Sequence, residues 1–301
     1  MKHTMLIDTS ALLYRSKHAV GNKLSHKDVE TGIMFGFFIQ IFKLANKFKT
    51  NRFVFCLDGS GSGHKSIRKN IFPDYKKSRL EKSDDDKKFD DFCYNKFDEI
   101  VSLLKSFGHK NIISAPGFEA DDLIASFLLN NVDLRKGSVI VSSDNDFYQL
   151  LHLCKGMFLA QKNYIYTKHD LEDEYGIEPE QWKDIKEIAG CKGDCIPGVP
   201  GVGYPTAAKY LRGELTKGKV FDKITSPDFD NTRKLARKLT SLPLSKTPKI
   251  IHVDDQYDLN FDAFLNMCSM YSFNSFISDS ENFNCWKRFF EGDYGKEKKK
   301  R

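Results

Sequence analysis

The chain has 301 residues, of which 40% are hydrophobic, and its 47 basic and 41 acidic side chains give a formal net charge of +6. This material is enough for the core of one large domain, or of a larger and a smaller one, so we expect a folded, soluble protein. A membrane-spanning class is excluded, because polar residues interrupt the apolar stretch at 32–45 before the roughly 18 residues that a spanning helix needs.

Two features of the sequence bear on the compartment. Asp8 interrupts the start, MKHTMLIDTS, too soon for a secretory signal peptide, so we expect none. The seven cysteines are odd in number and scattered, which favours a reducing compartment over a disulfide framework. The cytoplasm is therefore the predicted location.

The first predicted elements are four short apolar runs that end in acidic residues. In chain order they are MLID before SALLYRS, FVFCLD before a loop, NIISAPGFEADD before LIASFLL, and SVIVSSDND before FYQLL. This alternation predicts an α/β fold with a mostly parallel central sheet flanked by helices. Because ligands bind at the carboxyl ends of such strands, we expect one edge of the sheet to gather these acids: Asp8, Asp58, Glu119, Asp121, Asp122, Asp144 and Asp146.

The pattern changes twice along the chain. From about 60 to 99 the sequence is polar and highly charged, which predicts a loop and helices that project from the sheet. After about Thr167 helical segments replace the alternation, so we expect a second, helical region. The last seven residues, GKEKKKR, have no apolar anchor and are predicted to be disordered. This basic tail either attracts DNA nonspecifically or is only a solvated end.

Acidic residues from several segments in one pocket indicate metal chemistry. Such carboxylates raise one another's pKa values unless cations neutralise them. Without a His or Cys pattern beside them they favour a hard ion, Mg²⁺ or Mn²⁺, over Zn²⁺. Two such ions about 4 Å apart can promote phosphodiester hydrolysis. Helix capping is the alternative for each acidic motif alone, but it does not explain acids after four separate strands.

Six ordered motifs lie between about Met5 and Leu211: LIDTSALLYR, FCLDG, IRKNIFPDYKKSR, GFEADDLIA, SSDNDFYQL and GDCIPGVPGVGYPTAAKYL. Together they resemble the 5′ nuclease superfamily, which includes the 5′-3′ exonuclease domain of bacterial polymerases and the flap endonucleases of bacteriophages. The resemblance implies an α/β nuclease core over 1–166 with a helical arch at about 60–99. It also implies a helical DNA-binding region over 167–294, with a helix-hairpin-helix type element, before the tail at 295–301.

The same resemblance implies two sets of metal ligands. The residues that match the first site are Asp8, Asp58, Glu119 and Asp121, with Asp122 and Asp144 close by. Those that match the second site are Asp146 and Asp194, and a shared role for Asp121 is open. Asp121 is also the residue that we expect to be indispensable for catalysis.

The chain departs from the family in the segment GCKGDCIPG. Cys191 stands where the family usually has an aspartate, and Cys195 replaces an asparagine. A neutral thiol is a poor ligand for Mg²⁺, so we expect the second ion to bind more weakly. A zinc site is disfavoured because no second pair of ligands follows, and buried or incidental cysteines are the alternative.

Basic and aromatic residues are interleaved in one segment of the predicted arch. The basic ones are Arg68, Lys69, Lys76, Lys77 and Arg79, with Phe72 and Tyr75 among them. This mixture suits phosphate contact combined with base stacking, and a solvated charged helix is the alternative. By resemblance, Lys76 and Arg79 face the scissile phosphate and Tyr75 stacks on the terminal base. Arg68 completes this predicted DNA-binding segment.

The loop IPGVPGVG is a candidate grip on duplex DNA. Gly198, Gly201 and Gly203 let the backbone approach a phosphate, and the following helix carries Lys209 one turn inside. By resemblance, K⁺ can sit against the carbonyls of this loop. Arg15, on the first helix, either contacts phosphate or covers a surface.

The sequence thus predicts a freestanding, monomeric, metal-dependent 5′ nuclease that cuts DNA at 5′ ends, flaps or primers, with RNA–DNA hybrids as further substrates. We expect it in the cytoplasm of a bacterial or bacteriophage-infected cell. One alternative is a noncatalytic DNA-junction binding protein with a degraded second metal site. Another is a PIN-like ribonuclease, which generally lacks both the arch and the glycine-rich loop.

Overall fold

A six-stranded sheet lies at the centre of the computed structural model, which describes residues 2–19, 25–26, 29–59, 66–80, 96–254 and 258–294. Its strands are β1 (Thr4–Asp8), β4 (Phe53–Leu57), β5 (Ile112–Ser114), β6 (Ser138–Val141), β7 (Gly156–Leu159) and β8 (Tyr164–Tyr166). Their order is β5-β4-β1-β6-β7-β8, and only β8 pairs antiparallel with its neighbour. The predicted mostly parallel sheet is therefore confirmed. Two short strands, β2 (Ser25–His26) and β3 (Val29–Glu30), pair with each other apart from it.

Helices make up most of the remaining described chain. They are α1 (Thr9–Ala19), α2 (Gly32–Phe48), α3 (Ile67–Ile71), α4 (96–106), α5 (Ala120–Asn130), α6 (Lys168–Tyr175), α7 (Trp182–Ala189), α8 (Tyr204–Leu211), α9 (Lys219–Thr225), α10 (Asp230–Thr240), α11 (Phe261–Met270), α12 (Asn274–Ile277) and α13 (Ser280–Glu291). In the ranges that the structure describes, no helix is both long and apolar enough to cross a membrane.

The sheet is buried on both faces, which explains why its strands read as continuous apolar runs. In β1, Met5 and Ile7 point into a core shared with α2, whereas Leu6 points into a core shared with α5. A strand with helices on both sides needs apolar residues at every position rather than at alternate ones. The runs MLI and FVFCL meet this requirement, and the acids that follow them mark where each strand leaves the core.

The last three helices return to the sheet layer. The Trp286 ring of α13 stacks on Phe42 of α2 with a centroid distance of 4.8 Å, and it lies 4.4 Å from the Phe264 ring of α11. Phe276 stacks on Phe35 of α2 at 4.9 Å. Residues 261–291 therefore complete the core beneath α2. The helical DNA-binding region over 167–294 stays a prediction. The predicted tail at 295–301 lies outside the described residues, as do 60–65 and 81–95 of the predicted arch.

Candidate active site

The carboxyl ends of β1 and β4 bring two aspartates to one edge of the sheet. Asp8 is the last residue of β1 and Asp58 follows β4, which pairs with β1 in parallel. The Ala120 amide at the start of α5 donates to Asp58 Oδ1 at 2.8 Å, and the Ser10 hydroxyl donates to Asp58 Oδ2 at 2.9 Å. The first turns of two helices therefore converge on Asp58.

Asp8 lies among other carboxylates in a half-buried position. Burial, followed by the charges of Asp58 and Asp144, raises the pKa of Asp8 to about 7. Two donors partly offset this effect: the Ala11 amide at 3.0 Å from Oδ1 and the Ser142 hydroxyl at 3.1 Å from Oδ2. An aspartate that is protonated near neutral pH in the metal-free protein is one that a nearby cation would ionise.

Asp8 and Asp58 belong to a first group of acids, and Glu119 joins it from the N-terminus of α5. Its Oε2 accepts a hydrogen bond from the Tyr75 hydroxyl at 2.9 Å and from the Lys76 ammonium at 2.7 Å. Burial alone would raise the pKa of Glu119, but Lys76 and Arg68 hold it below its ordinary value. Lys76 therefore lies at the acidic edge, where the sequence placed it.

Tyr75 occupies a different environment from the predicted one. Only 3% of the residue is exposed, and burial raises the pKa of its hydroxyl. A ring packed against Ile196, Ala236 and Leu239 offers no free face for a terminal base. In this structure Tyr75 orients Glu119, so the predicted stacking role does not fit its position.

Arg68 and Asp122 also require correction. Arg68 is 2% exposed, and its two terminal nitrogens donate to Asp122 Oδ2 at 2.6 Å and Oδ1 at 2.9 Å, while Nε donates to the Leu239 carbonyl at 2.9 Å. Asp122 is fully buried, and its Oδ1 also accepts from the Leu244 amide at 2.8 Å. A buried fork of this kind fixes α3 against α5, because loss of either partner would leave an unpaired buried charge. Neither a DNA contact for Arg68 nor a metal ligand at Asp122 fits this geometry.

Asp121, in the first turn of α5, is the fourth acid of the first group and lies beside Glu119. Burial raises the pKa of Asp121 well above its ordinary value, although Arg68, 3.5 Å from Oδ2, opposes that effect. Asp144 is exposed and caps a 3₁₀ helix (Asn145–Leu153), with its Oδ1 accepting from the Asp146 amide at 2.9 Å. The capping alternative therefore describes the Asp144 conformation in this structure.

Asp146, Asp194 and Cys191 form a second group beside the first. Both aspartates are 8% exposed, and the Cys191 thiol lies 3.7 Å from Asp194 Oδ2. The Asp194 carbonyl accepts a hydrogen bond from the Lys76 amide at 2.9 Å, which ties the base of the predicted arch to this group. Burial, only partly offset by Lys186, raises the pKa of Asp146 to about 6.

Lys186 is a member of the second group that the sequence reasoning missed. It lies on α7, and its fully buried ammonium forms an ion pair with Asp146 and donates to Asn145 Oδ1 at 2.7 Å. The sequence does contain a signal that Lys186 is buried. Lys186 lies one helical turn after Trp182, on the apolar face that contains Trp182 and Ile185. A lysine within such a stripe is buried and requires an acidic partner.

The two groups fit a metal ion to different degrees. The first group offers carboxylate oxygens, the donors that a hard divalent ion prefers, and burial and the neighbouring carboxylates raise the pKa of Asp8. The second group offers a thiol in place of one carboxylate and already contains an ammonium. Within the described ranges, no three His, Cys, Asp or Glu side chains are arranged to hold an ion. Carboxylates of the first group accept hydrogen bonds from backbone amides instead, Asp8 from Ala11 and Asp58 from Ala120.

The predicted DNA grip lies on the far side of Asp194. The backbone of Gly201 has φ +83° and an added Cβ would meet no atom within 4 Å, so the tip of this turn is open. An added Cβ at Gly198 would lie 2.1 Å from the Ala189 carbonyl carbon, so Gly198 lets the loop pack on the end of α7. Gly203 precedes α8, and both it and Lys209 are exposed.

Two further predicted contacts remain. Arg15 is half-buried and lines a cavity of about 40 Å³ together with Ser142 and Ser143, next to the acidic edge. Burial lowers the pKa of Arg15. The backbone of Arg79 lies in a short 3₁₀ helix, Lys77–Leu80, and its side chain lies outside the described part of the structure. Cys195 is half-buried and its thiol lies 3.3 Å from the Ser78 hydroxyl.

Comparison with known proteins supports the resemblance seen in the motifs. The model of a family described as 5′-3′ exonuclease, N-terminal resolvase-like domain, matches residues 3–176. A 5′-3′ exonuclease of Buchnera aphidicola is 28% identical over 242 residues, which cover 79% of this chain and 80% of that protein. A 5′-3′ exonuclease of Aquifex aeolicus is 30% identical over 213 residues, or 70% of each chain.

A solved structure shares the fold. The flap endonuclease of bacteriophage T5, in a pseudo-enzyme-product complex with DNA and metal ions, superposes with a TM-score of 0.66 at 21% identity and covers 80% of this chain and 89% of its own. The fold and the family resemblance predicted from the sequence are thus confirmed.

Proposed function

The chain belongs to the 5′-3′ exonuclease family, and from that premise we propose that it is a structure-specific 5′ nuclease that hydrolyses DNA phosphodiester bonds with divalent metal. The observation that carries the proposal is the convergence of Asp8, Asp58 and the start of α5 at the carboxyl edge of a parallel sheet. This is the place where sheets of this type bind ligands.

The first group is the proposed metal site. Its ligands are Asp8, Asp58, Glu119 and Asp121, with Asp144 at its margin, and Mg²⁺ or Mn²⁺ is the ion that these donors favour. When bound, such an ion supplies a Lewis acid that activates water and stabilises charge on the phosphate. Relatives that are solved with metal ions and DNA support this assignment.

Lys76 is proposed to act directly on the substrate. Its ammonium lies beside Glu119 and is only partly buried, so it can donate to a non-bridging oxygen of the scissile phosphate. A fixed cation at this point stabilises the negative charge that develops during cleavage. Arg79 is proposed as a second phosphate contact, on the strength of the FPDYKKSR motif.

The open turn at Gly201, Gly203 and Lys209 is the proposed duplex grip. Exposed amides at the start of α8 and the Lys209 ammonium would contact phosphates without reading bases. A K⁺ ion against the loop carbonyls, and a phosphate contact by Arg15, belong to the same proposal. So do RNA–DNA hybrids as further substrates, a monomeric state, and a cytoplasmic location in a bacterial or phage-infected cell.

One observation favours a second candidate, a noncatalytic protein that binds DNA junctions. The second group lacks a carboxylate at Cys191 and contains the buried Lys186, so it differs from an intact metal site. The complete first group favours the enzyme.

The two candidates separate in one assay. A duplex with a 5′ flap, labelled at either end, is incubated with the protein in Mg²⁺, in Mn²⁺ and in chelator, with a blunt duplex as the control substrate. The nuclease releases the flap in either ion and not in chelator. Binding of the flap duplex with no cleavage in either ion contradicts the enzyme and supports the junction-binding protein.

A further inference from the structure

The buried ammonium of Lys186 has no role in the chemistry proposed above. Its side chain is fully buried on α7, where it pairs with Asp146 and donates to Asn145 Oδ1 at 2.7 Å. The same ammonium lies 5.0 Å from the centroid of the Tyr204 ring on α8. A carboxylate, an amide oxygen and an aromatic face thus surround one positive charge.

This environment keeps Lys186 charged. A buried ammonium is costly unless it is paired and hydrogen-bonded, and these contacts meet both conditions. Burial alone would lower the pKa of Lys186, but the charge of Asp146 raises it above its ordinary value. Lys186 is therefore a constant positive charge within the second group.

Without a metal, the second group is one unit negative. Asp146 and Asp194 contribute two carboxylates, and Lys186 contributes one ammonium. Cys191, whose thiol lies 3.7 Å from Asp194 Oδ2, adds no charge, because an ordinary thiol is protonated at neutral pH.

The first group, by contrast, contains four carboxylates: Asp8, Asp58, Glu119 and Asp121. Lys76 pairs with Glu119, and the charge of Arg68 is offset by Asp122, so the first group is three units negative. A divalent ion thus gains far more Coulomb energy in the first group than in the second.

We propose that the Lys186 ammonium takes the place of a second divalent ion at Asp146 and Asp194, so that the protein binds one divalent ion tightly, in the first group. This inference rests on the proposed function, which supplies the first ion. It goes beyond a missing ligand at Cys191, because it assigns the balancing charge to a residue of the protein itself. Lys186 is a positioning residue, since it holds Asp146 and does not touch the substrate.

The charge balance gives the inference a direct test. Replacing Lys186 by glutamine removes the charge and keeps a side-chain donor for Asn145. Replacing Cys191 by aspartate adds a negative charge at the same place. Each change makes the group one unit more negative, so each should strengthen binding of a second ion about tenfold or more. The double variant should bind it more tightly than either single variant.

The experiment is a calorimetric titration of the full chain with Mn²⁺ in the absence of DNA. We expect wild type and Lys186→Arg to bind one ion, with no second event within a hundredfold of the first dissociation constant. Lys186→Gln, Cys191→Asp and the double variant should show a second event. Lys183→Gln, a change to a half-exposed lysine on the same helix, is the matched control and should bind one ion.

The outcomes separate the inference from the proposed function. Two ions of similar affinity in wild type overturn the inference and leave the nuclease proposal intact. A folded Lys186→Gln variant with a single binding event also overturns it. If Lys186→Gln does not fold, two ions of similar affinity in wild type or in Lys186→Arg still refute the inference. No binding in any variant overturns the proposed function, and the inference with it.

Discussion

The two acidic groups lie side by side at one edge of the sheet, yet they meet the problem of buried negative charge in different ways. In the first group burial, followed by the charges of Asp58 and Asp144, raises the pKa of Asp8 to about 7, although Lys76 pairs with Glu119. In the second, Lys186 pairs with Asp146. The comparison teaches that the number of acids in a pocket does not by itself predict how many ions it binds, because lysines of the protein pair with some of the same carboxylates. The predictions below test this difference between the two groups, beginning with the largest expected effect.

Loss of one carboxylate from the first group should abolish cleavage. For Asp121→Ala we expect a fall in the cleavage rate of at least about 10³-fold, because the metal supplies several kcal/mol of stabilisation in the transition state. Binding of the flap duplex in Ca²⁺ should persist. The measurement is single-turnover cleavage beside a gel-shift assay, and an active Asp121→Ala protein would show that the site lies elsewhere.

Breaking the buried pair beside the first group should damage the fold. Removing one partner of such a pair leaves an unpaired buried charge, so Arg68→Met should lower the free energy of unfolding by about 3–5 kcal/mol. Lys77→Met removes an exposed pair with Asp74 and should change it by less than about 1 kcal/mol. Urea unfolding measures both. A stable Arg68→Met protein with impaired DNA binding would restore the surface role first predicted for Arg68.

The position of Arg68 shows what the sequence could not disclose. The acids after MLI and FVFCL were found from the sequence because a strand that leaves a core is a local pattern. The partners of Arg68 are not local: its Nε donates to the Leu239 carbonyl, 171 positions along the chain. A basic residue near aromatic residues in the sequence suggests DNA contact, but the sequence does not show whether its side chain is exposed. The packing of α10 determines that Arg68 is buried.

Other differences have the same origin. The run IIHV at 250–253 has the composition of a strand, but it is irregular. The side chains of Asn131 and Asn111 accept hydrogen bonds from its amides at His252 and Val253. The return of the last helices to α2 depends on contacts between rings far apart in the chain. Periodicity identifies a helix and its apolar face, but it does not identify the surface that covers this face.

Removal of the Lys76 ammonium should slow the chemical step. Lys76→Met should reduce the single-turnover rate about 10²-fold with little change in affinity for the flap, because a cation on the scissile phosphate acts mainly in the transition state. Lys69→Met, in the same basic segment, is the control. Equal losses of cleavage rate in both variants would mean that Lys76 has no special role among the basic residues of this segment.

The charge of Asp8 should make the metal-free protein less stable as pH rises. The pKa of Asp8 in the folded protein is about 7, above the ordinary value of 3.8, so its protonated form favours the fold and this contribution is lost as pH rises through 7. The loss between pH 5 and pH 8 is on the order of 3 kcal/mol at most, since one pKa unit corresponds to about 1.4 kcal/mol.

Thermal unfolding in chelator measures this effect. Asp8→Asn should be less sensitive to pH than wild type over the same range, and Mg²⁺ should restore the stability of wild type at pH 8. Identical pH profiles for the two proteins would mean that Asp8 does not carry the uncompensated charge.

The most direct test of the distinction between the two groups is the cleavage rate of Asp58→Asn and Asp194→Asn on the same flap duplex across a Mg²⁺ titration. Both changes neutralise a carboxylate with little change in shape. If the essential ion is held by the first group, Asp58→Asn loses at least about 10³-fold at every Mg²⁺ concentration, and Asp194→Asn loses less than about tenfold. Equal losses in the two variants, both recovered at high Mg²⁺, would contradict the account, because they would assign equal parts in catalysis to both groups.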